Sequence, residues 1–236
     1  MTSRSPRRPS KGNRPPHHPG DDEPVAGAIE PVRADETHDG PEGSGTARVE
    51  VCNPEFDVVL LSAEEARAKV SELCAILVDC VNGGASVNFM LPFGEDEARA
   101  FWDRVIEDVA RGNRMLIVAR EDGVAVGTVQ LVVGMPPNQM HRAEVSKLLV
   151  RSDARGHGVG EALMRRCDIE AALHGRTLLT LDTAVGSPAD RLYRRLGWQE
   201  VGTIPGYALF PEGEPCDTVF FWKRMDIAHD EDGPQR

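Results

Sequence analysis

The sequence predicts a mixed α/β fold, α+β in the order of its elements, with a central mixed sheet of about six to seven strands flanked by helices. Three observations predict it. Short β-type apolar runs alternate with longer segments of helical periodicity. Two of the β runs meet at Asp122-Gly123, a dipeptide that favours a tight hairpin, so part of the sheet is an antiparallel meander. Further on, a strand, a helix and an apolar strand follow in sequence, which calls for one parallel crossover.

Each element has its own justification. "FDVVLLS" (56–62) reads as a strand, and one helix is expected over 62–81, with Ser62 as N-cap and Glu65 completing a capping box. A second helix over 94–112 places Ala98, Phe101, Trp102, Val105, Ile106 and Val109 at helical spacing. The loop between them, "NGGASVNFMLPF", holds Phe89, Met90 and Phe93, which either cap the core or wall a ligand pocket. "MLIVAREDGVAVGTVQLVV" is the hairpin, and "HRAEVSKLLV" (141–150) a further strand. A helix then runs over 158–175, with Val159, Leu163 and Cys167 on one stripe and Gly175 as its stop. "TLLTLDT" reads as a strand buried on both faces. A short helix opens with Ser187 as N-cap and Pro188 in its first turn, and ends at Gly197. "WQEVGTIPGYALF" and "CDTVFFWKRM" close the sheet around "PEGEP".

Composition narrows the function classes. The 236 residues carry a net charge of −11, which argues against a dedicated nucleic-acid binder, since such proteins need clustered Lys and Arg to displace counterions. The five cysteines are scattered, without a C-x-x-C pair or zinc-type spacing, and no metal site is expected. They read as reduced thiols of a cytoplasmic chain; neither a secretory leader nor the roughly 20 apolar residues of a membrane span is visible. Residues 1–48 are rich in Pro, Arg and Gly and poor in large apolar side chains, so a disordered tail is expected there, with another acidic one at 229–236. The folded domain is expected over 49–228.

The most informative stretch is "RSDARGHGVGEAL" (151–163), where Gly156, Gly158 and Gly160 stand at a strand-to-helix junction behind Arg151 and Arg155. Such a turn offers backbone N–H groups and the positive end of a helix dipole to a phosphate, and glycine lets the backbone come close. The nucleoside-triphosphate loop requires a Lys after its last Gly, which is missing. A dinucleotide fingerprint is G-x-G-x-x-G, whereas this chain has G-x-G-x-G after a meander, although Asp182 at the end of the next strand stands where a ribose-binding acid would.

R-x-x-G-x-G at Arg155, Gly158 and Gly160, after a strand ending "KLLV" and before "RLYRRLGW", resembles the GCN5-related N-acetyltransferase (GNAT) superfamily over roughly residues 55 to 226. "LLTLDT", "LYRRLGW", "VGTIPGYALFPEG" and "FFWKRM" look like its tabtoxin-resistance-type, small-molecule members. The resemblance implies a parallel pair that splays and acetyl-CoA as cosubstrate. The pantetheine would lie beside Leu148, Leu149 and Val150, with the pyrophosphate on the amides of Arg155, Gly156, His157, Gly158, Val159 and Gly160. It implies Tyr193 as proton donor to the leaving thiolate, Glu144 and Asp182 as acids acting on the amine with His141 as a rival, and an oxyanion donor in the backbone near Leu149. Many members carry Asn where this chain has Gly186. The acceptor is expected to be a small-molecule amine, with Phe89, Met90 and Phe93 as substrate-binding residues; a protein Lys or N-terminus and a silent acyl-CoA-binding module are the alternatives. The chain is expected as a monomer or homodimer, with an antibiotic- or toxin-resistance role and no membrane partner.

Overall fold

The computed structural model describes residues 51–53 and 56–225; both expected tails lie outside the described residues. Eight strands form one sheet: β1 (Val51–Asn53), β2 (Phe56–Leu61), β3 (Arg114–Glu121), β4 (Val124–Val132), β5 (Arg142–Val150), β6 (Leu178–Ala184), β7 (Gln199–Leu209) and β8 (Pro215–Arg224). They stand in the order β1-β2-β3-β4-β5-β6-β8-β7, and every neighbouring pair is antiparallel except β5 with β6. The strand beyond the expected six to seven is β1, which is too short to show a periodicity in the sequence.

Among the described residues, five α-helices complete the fold: α1 (Ala63–Ala68), α2 (Val70–Asn82), α3 (Glu95–Ala110), α4 (Val159–Leu173) and α5 (Pro188–Arg195). The capping box forms as expected, with Ser62 Oγ accepting from the Glu65 amide at 3.2 Å and Glu65 Oε2 accepting from the Ser62 amide at 2.8 Å. The single helix expected over 62–81 is instead α1 and α2, interrupted at Lys69 (φ −103°, ψ 10°). Lys69 Nζ donates to the Gly123 carbonyl at 2.8 Å, and Glu72 Oε2 accepts from the Ala125 amide at 2.7 Å. These bonds tie the break to the β3–β4 hairpin, a tertiary tether that helical periodicity does not reveal. The hairpin turn itself has Asp122 at φ 49° and Gly123 at φ 80°, which suits the right-handed twist of its strands.

Two cores follow from the period-2 alternation of the strands. On one face, Ile117, Ala119, Val129, Leu131, Ala143, Val145, Leu179, Leu181, Val219 and Phe221 pack under α4 and α5. On the other, Leu61, Leu116, Val118 and Leu149 pack under α1, α2 and α3 around the fully buried Trp102. β6 is buried on one face only, so the two-sided burial expected of "TLLTLDT" is not found: Leu179 and Leu181 are in the core whereas Asp182 is exposed. Its second face carries the half-buried Thr180 and the exposed Asp182.

α4 packs closely on the sheet at Gly127. A Cβ there would stand 3.0 Å from the Leu149 carbonyl oxygen and 3.1 Å from both Leu163 and Val159. Gly127→Ala is therefore expected to destabilise the fold by roughly 1–3 kcal/mol, the usual cost of overpacking. Urea unfolding would register this as a lower midpoint at unchanged slope, and an unchanged midpoint would mean that α4 is free to move away.

Candidate active site

Parallel pairing of β5 and β6 spans only Arg142, Ala143 and Glu144 against Leu178, Leu179 and Thr180. Past that point β5 stays on β4 while β6 stays on β8, so the two strands diverge. The edge of β5 from Val145 to Val150 that faces β6 is left without a strand partner, and an extended ligand arm can pair with it. One group there is already engaged: the Val150 carbonyl accepts from Arg155 Nε at 2.9 Å and from Cys80 Sγ at 3.5 Å.

At the mouth of the divergence lies the glycine turn. Gly156 and Gly158 have φ 87° and 86°, and Gly158 is the N-cap of α4. A Cβ at either would meet nothing within 4 Å, so backbone conformation, not crowding, selects glycine at both. Gly160 differs, since its Cβ would stand 3.3 Å from Leu192 Cδ2. Among the described residues, no backbone amide from Arg155 to Gly160 donates to a backbone carbonyl. A row of free N–H groups at the N-terminus of a four-turn helix is suited to an anion.

The turn is braced from α2. Asp79 accepts from the Ser152 amide at 2.8 Å and from Ser152 Oγ at 2.7 Å, and pairs with Arg155 at 3.7 Å. The Arg155 side chain is thus partly spent on holding the turn. Val159 also has a structural duty, because its side chain is 3% exposed in the α4 core; His157 is exposed.

The expected acids and tyrosine come from three different elements, β5, β6 and α5. Glu144 and Asp182 flank core residues of β5 and β6 and therefore share the opposite, α2-side face of the sheet. Tyr193 comes from α5 beneath the sheet, buried at 5% exposure, with ring centroids 6.0 Å from Trp198 and 6.1 Å from Phe221. Burial pushes its phenol pKa up, and the nearby Cys167 and Asp182 add to the shift, so the hydroxyl keeps its proton at neutral pH. Asp182 also reaches solvent, yet desolvation in the cleft raises its carboxyl pKa, with Lys147 opposing. His141 stands apart, in the loop before β5, with its carbonyl bound to the Thr177 amide at 2.8 Å. Gly186 occupies a left-handed turn (φ 72°) with its amide donating to Asp190 Oδ2 at 2.8 Å.

Lys147 and Asp79 were not singled out from the sequence. Lys147 has φ 52° and sits in a β-bulge, where Thr128 faces Leu149 but Gln130 faces Ser146. The adjacent polar pair Ser146-Lys147 breaks the alternation of β5 and is the signal that could have marked the bulge.

The α2–α3 loop packs on the α2-side face of the sheet, the face of Glu144 and Asp182. Phe89 packs on Phe93 at 4.6 Å and on Phe101 at 5.4 Å, which makes Phe93, 8% exposed, a core anchor and leaves Met90 exposed. Ser86 Oγ donates to the Leu209 carbonyl at 2.8 Å and the Leu91 amide to the Pro211 carbonyl at 2.9 Å. The loop is thereby fastened to the far end of β7 and the turn after it.

Residues 112–200, from the start of β3 to the start of β7, match the acetyltransferase (GNAT) domain family. An uncharacterized N-acetyltransferase of Azospirillum brasilense is 28% identical over 151 residues, covering 55% of this chain and 88% of the relative. Among solved structures, a ribosomal-protein-alanine N-acetyltransferase from Brucella melitensis is similar at TM-score 0.59 and 24% identity, over 71% of this chain and 98% of its own. A putative acetyltransferase from Salmonella typhimurium, solved with acetyl-CoA, is similar at TM-score 0.60 and 18% identity, over 76% of this chain and 99% of its own. The fold is the GNAT fold. Among the described residues, no helix is long and apolar enough to cross a membrane.

Asp79→Ala removes the brace of the turn without touching its amides. It is expected to weaken acetyl-CoA binding by roughly tenfold, the effect of losing one or two charge-assisted hydrogen bonds that preorganise a loop. Calorimetric titration measures it; an unchanged Kd would show that the turn holds its shape unaided.

Proposed function

We propose that this N-acetyltransferase carries the acetyl group of acetyl-CoA to the primary amine of a small, amino-acid-like molecule by direct attack in a ternary complex. The observation that carries the choice of acceptor is the fastening of the Phe89–Met90 loop to Leu209 and Pro211, which bridges the acceptor side of the cleft and favours a small molecule over an extended chain. The motifs shared with tabtoxin-resistance-type enzymes point the same way and support a detoxifying role. A protein acceptor is the second reading, favoured by the likeness to an enzyme named for a ribosomal-protein alanine.

The pyrophosphate of the donor would lie on the amides of 155–160 and its pantetheine along Leu148, Leu149 and Val150. An amine of ordinary pKa near about 10 enters protonated and must lose that proton before it can attack. Asp182 or Glu144 takes the proton, the amine attacks the thioester carbonyl, and a backbone N–H near Leu149 holds the oxyanion. Collapse expels the thiolate, which takes a proton from Tyr193. Direct transfer is supported by the thiols of Cys74, Cys80 and Cys167, which burial holds above the ordinary cysteine pKa and so keeps protonated and poorly nucleophilic.

Thiol release from acetyl-CoA, measured with small amines and with basic peptides in competition, tests the acceptor class. Small amines are expected to be acetylated with the higher kcat/KM; transfer confined to peptides would establish the second reading. The pH dependence of kcat tests the base. Because the pKa of Asp182 is raised, kcat should fall on acidification at a pH above the usual carboxylate value of about 3.9, as the base becomes protonated. Asp182→Asn should abolish that limb, and its persistence would pass the role to Glu144.

A further inference from the structure

Regular alternation along β5 would turn Lys147 toward α4, beside Ala143 and Val145. The bulge prevents this. Val145 packs in the α4 core, Leu148 and Val150 pack against that same core, and Leu149 is in the core beneath α2. Lys147 is therefore the extra residue, turned to the same face as Glu144, Ser146 and Asp182. Its left-handed backbone is unusual for a non-glycine residue, and such conformations gather at functional sites.

The charged groups that face Lys147 come from three strands: Glu144 on its own strand, Asp182 on β6 and Arg114 on β3. Arg114 is committed elsewhere, paired with Asp108 at 3.3 Å and donating to Gln130 Oε1. Lys147 is not: among the described residues its ammonium makes no hydrogen bond and no ion pair within 4.0 Å. A partly buried cation without a direct partner is costly unless a ligand supplies one. Desolvation lowers its pKa, and Asp182 and Glu144 act against that shift from a distance. An anion in contact would hold it charged.

We propose that Lys147 binds a carboxylate of the acceptor, so that the acceptor is an amino acid whose carboxylate meets Lys147 while its amine meets Asp182 and Glu144. This rests on the small-amine reading above. It makes Lys147 a specificity-determining residue: two acids and one uncommitted cation on one face of the cleft complement a molecule that bears both an amine and a carboxylate.

The test is thiol release from acetyl-CoA with free amino acids, the corresponding amino-acid amides, and basic peptides, for the wild type, Lys147→Met and Lys147→Arg. The wild type should favour acids over amides by about 10- to 100-fold, mainly through KM, as expected for one charged hydrogen bond. In Lys147→Met that ratio should collapse toward one, with Lys147→Arg keeping part of it and acetyl-CoA titration confirming that both variants are folded. Equal use of acids and amides by the wild type, or a preference that survives in Lys147→Met, would overturn the assignment. So would a fall in kcat for acids and amides alike in Lys147→Met, which would place the ammonium at the thioester instead. Transfer to peptides alone would overturn the small-amine reading itself, a result distinct from all of these.

Discussion

The brevity of the β5–β6 pairing is the constraint on which the rest of the site depends. Two parallel strands that bond through Glu144 and Thr180 and then part leave unpaired backbone inside the sheet, which a protein normally avoids. The divergence persists because each strand is held by its other neighbour, β4 on one side and β8 on the other. The opening is therefore built into the sheet, and a ligand that supplies backbone-like hydrogen bonds completes it. The glycine turn stands at the mouth of this opening because α4 has to start where β5 ends.

The residues proposed to act at the opening come from several elements, each with a different kind of chemistry. From beneath, α5 brings Tyr193 in an apolar setting that keeps its proton on. From β5 and β6 come Glu144 and Asp182, and desolvation raises the pKa of Asp182, as the proposed base would need. From above, α2 supplies Asp79 and Cys80, which hold the turn and its arginine in place. The bulge at Lys147 adds a cation to the face that carries the acids, and it does so by shifting the alternation of β5 by one residue.

Most elements were legible in the sequence because their signals are local. The Ser62 and Ser187 caps, the Asp122-Gly123 turn and the glycine stops depend on nearest neighbours, and the structure reproduces each one. The glycine-rich turn was legible for the same reason. What escaped depends on tertiary contact. The break at Lys69 follows from its reach to Gly123, β1 is too short to show a period, and β6 lost its second buried face to a cleft that no single segment encodes. Asp79 carries no local signal in the sequence, and only the fold sets it against Ser152 and Arg155.

The central claim is that the diverging strands and the glycine turn together form the donor site. Calorimetric titration with acetyl-CoA, comparing the wild type with Gly158→Glu, tests it most directly, because the variant sets a bulky negative side chain where the pyrophosphate should lie. Saturable one-to-one binding by the wild type that is lost in a variant of unchanged circular dichroism is the predicted result. Equal binding by both would contradict the account and place the donor elsewhere on the molecule.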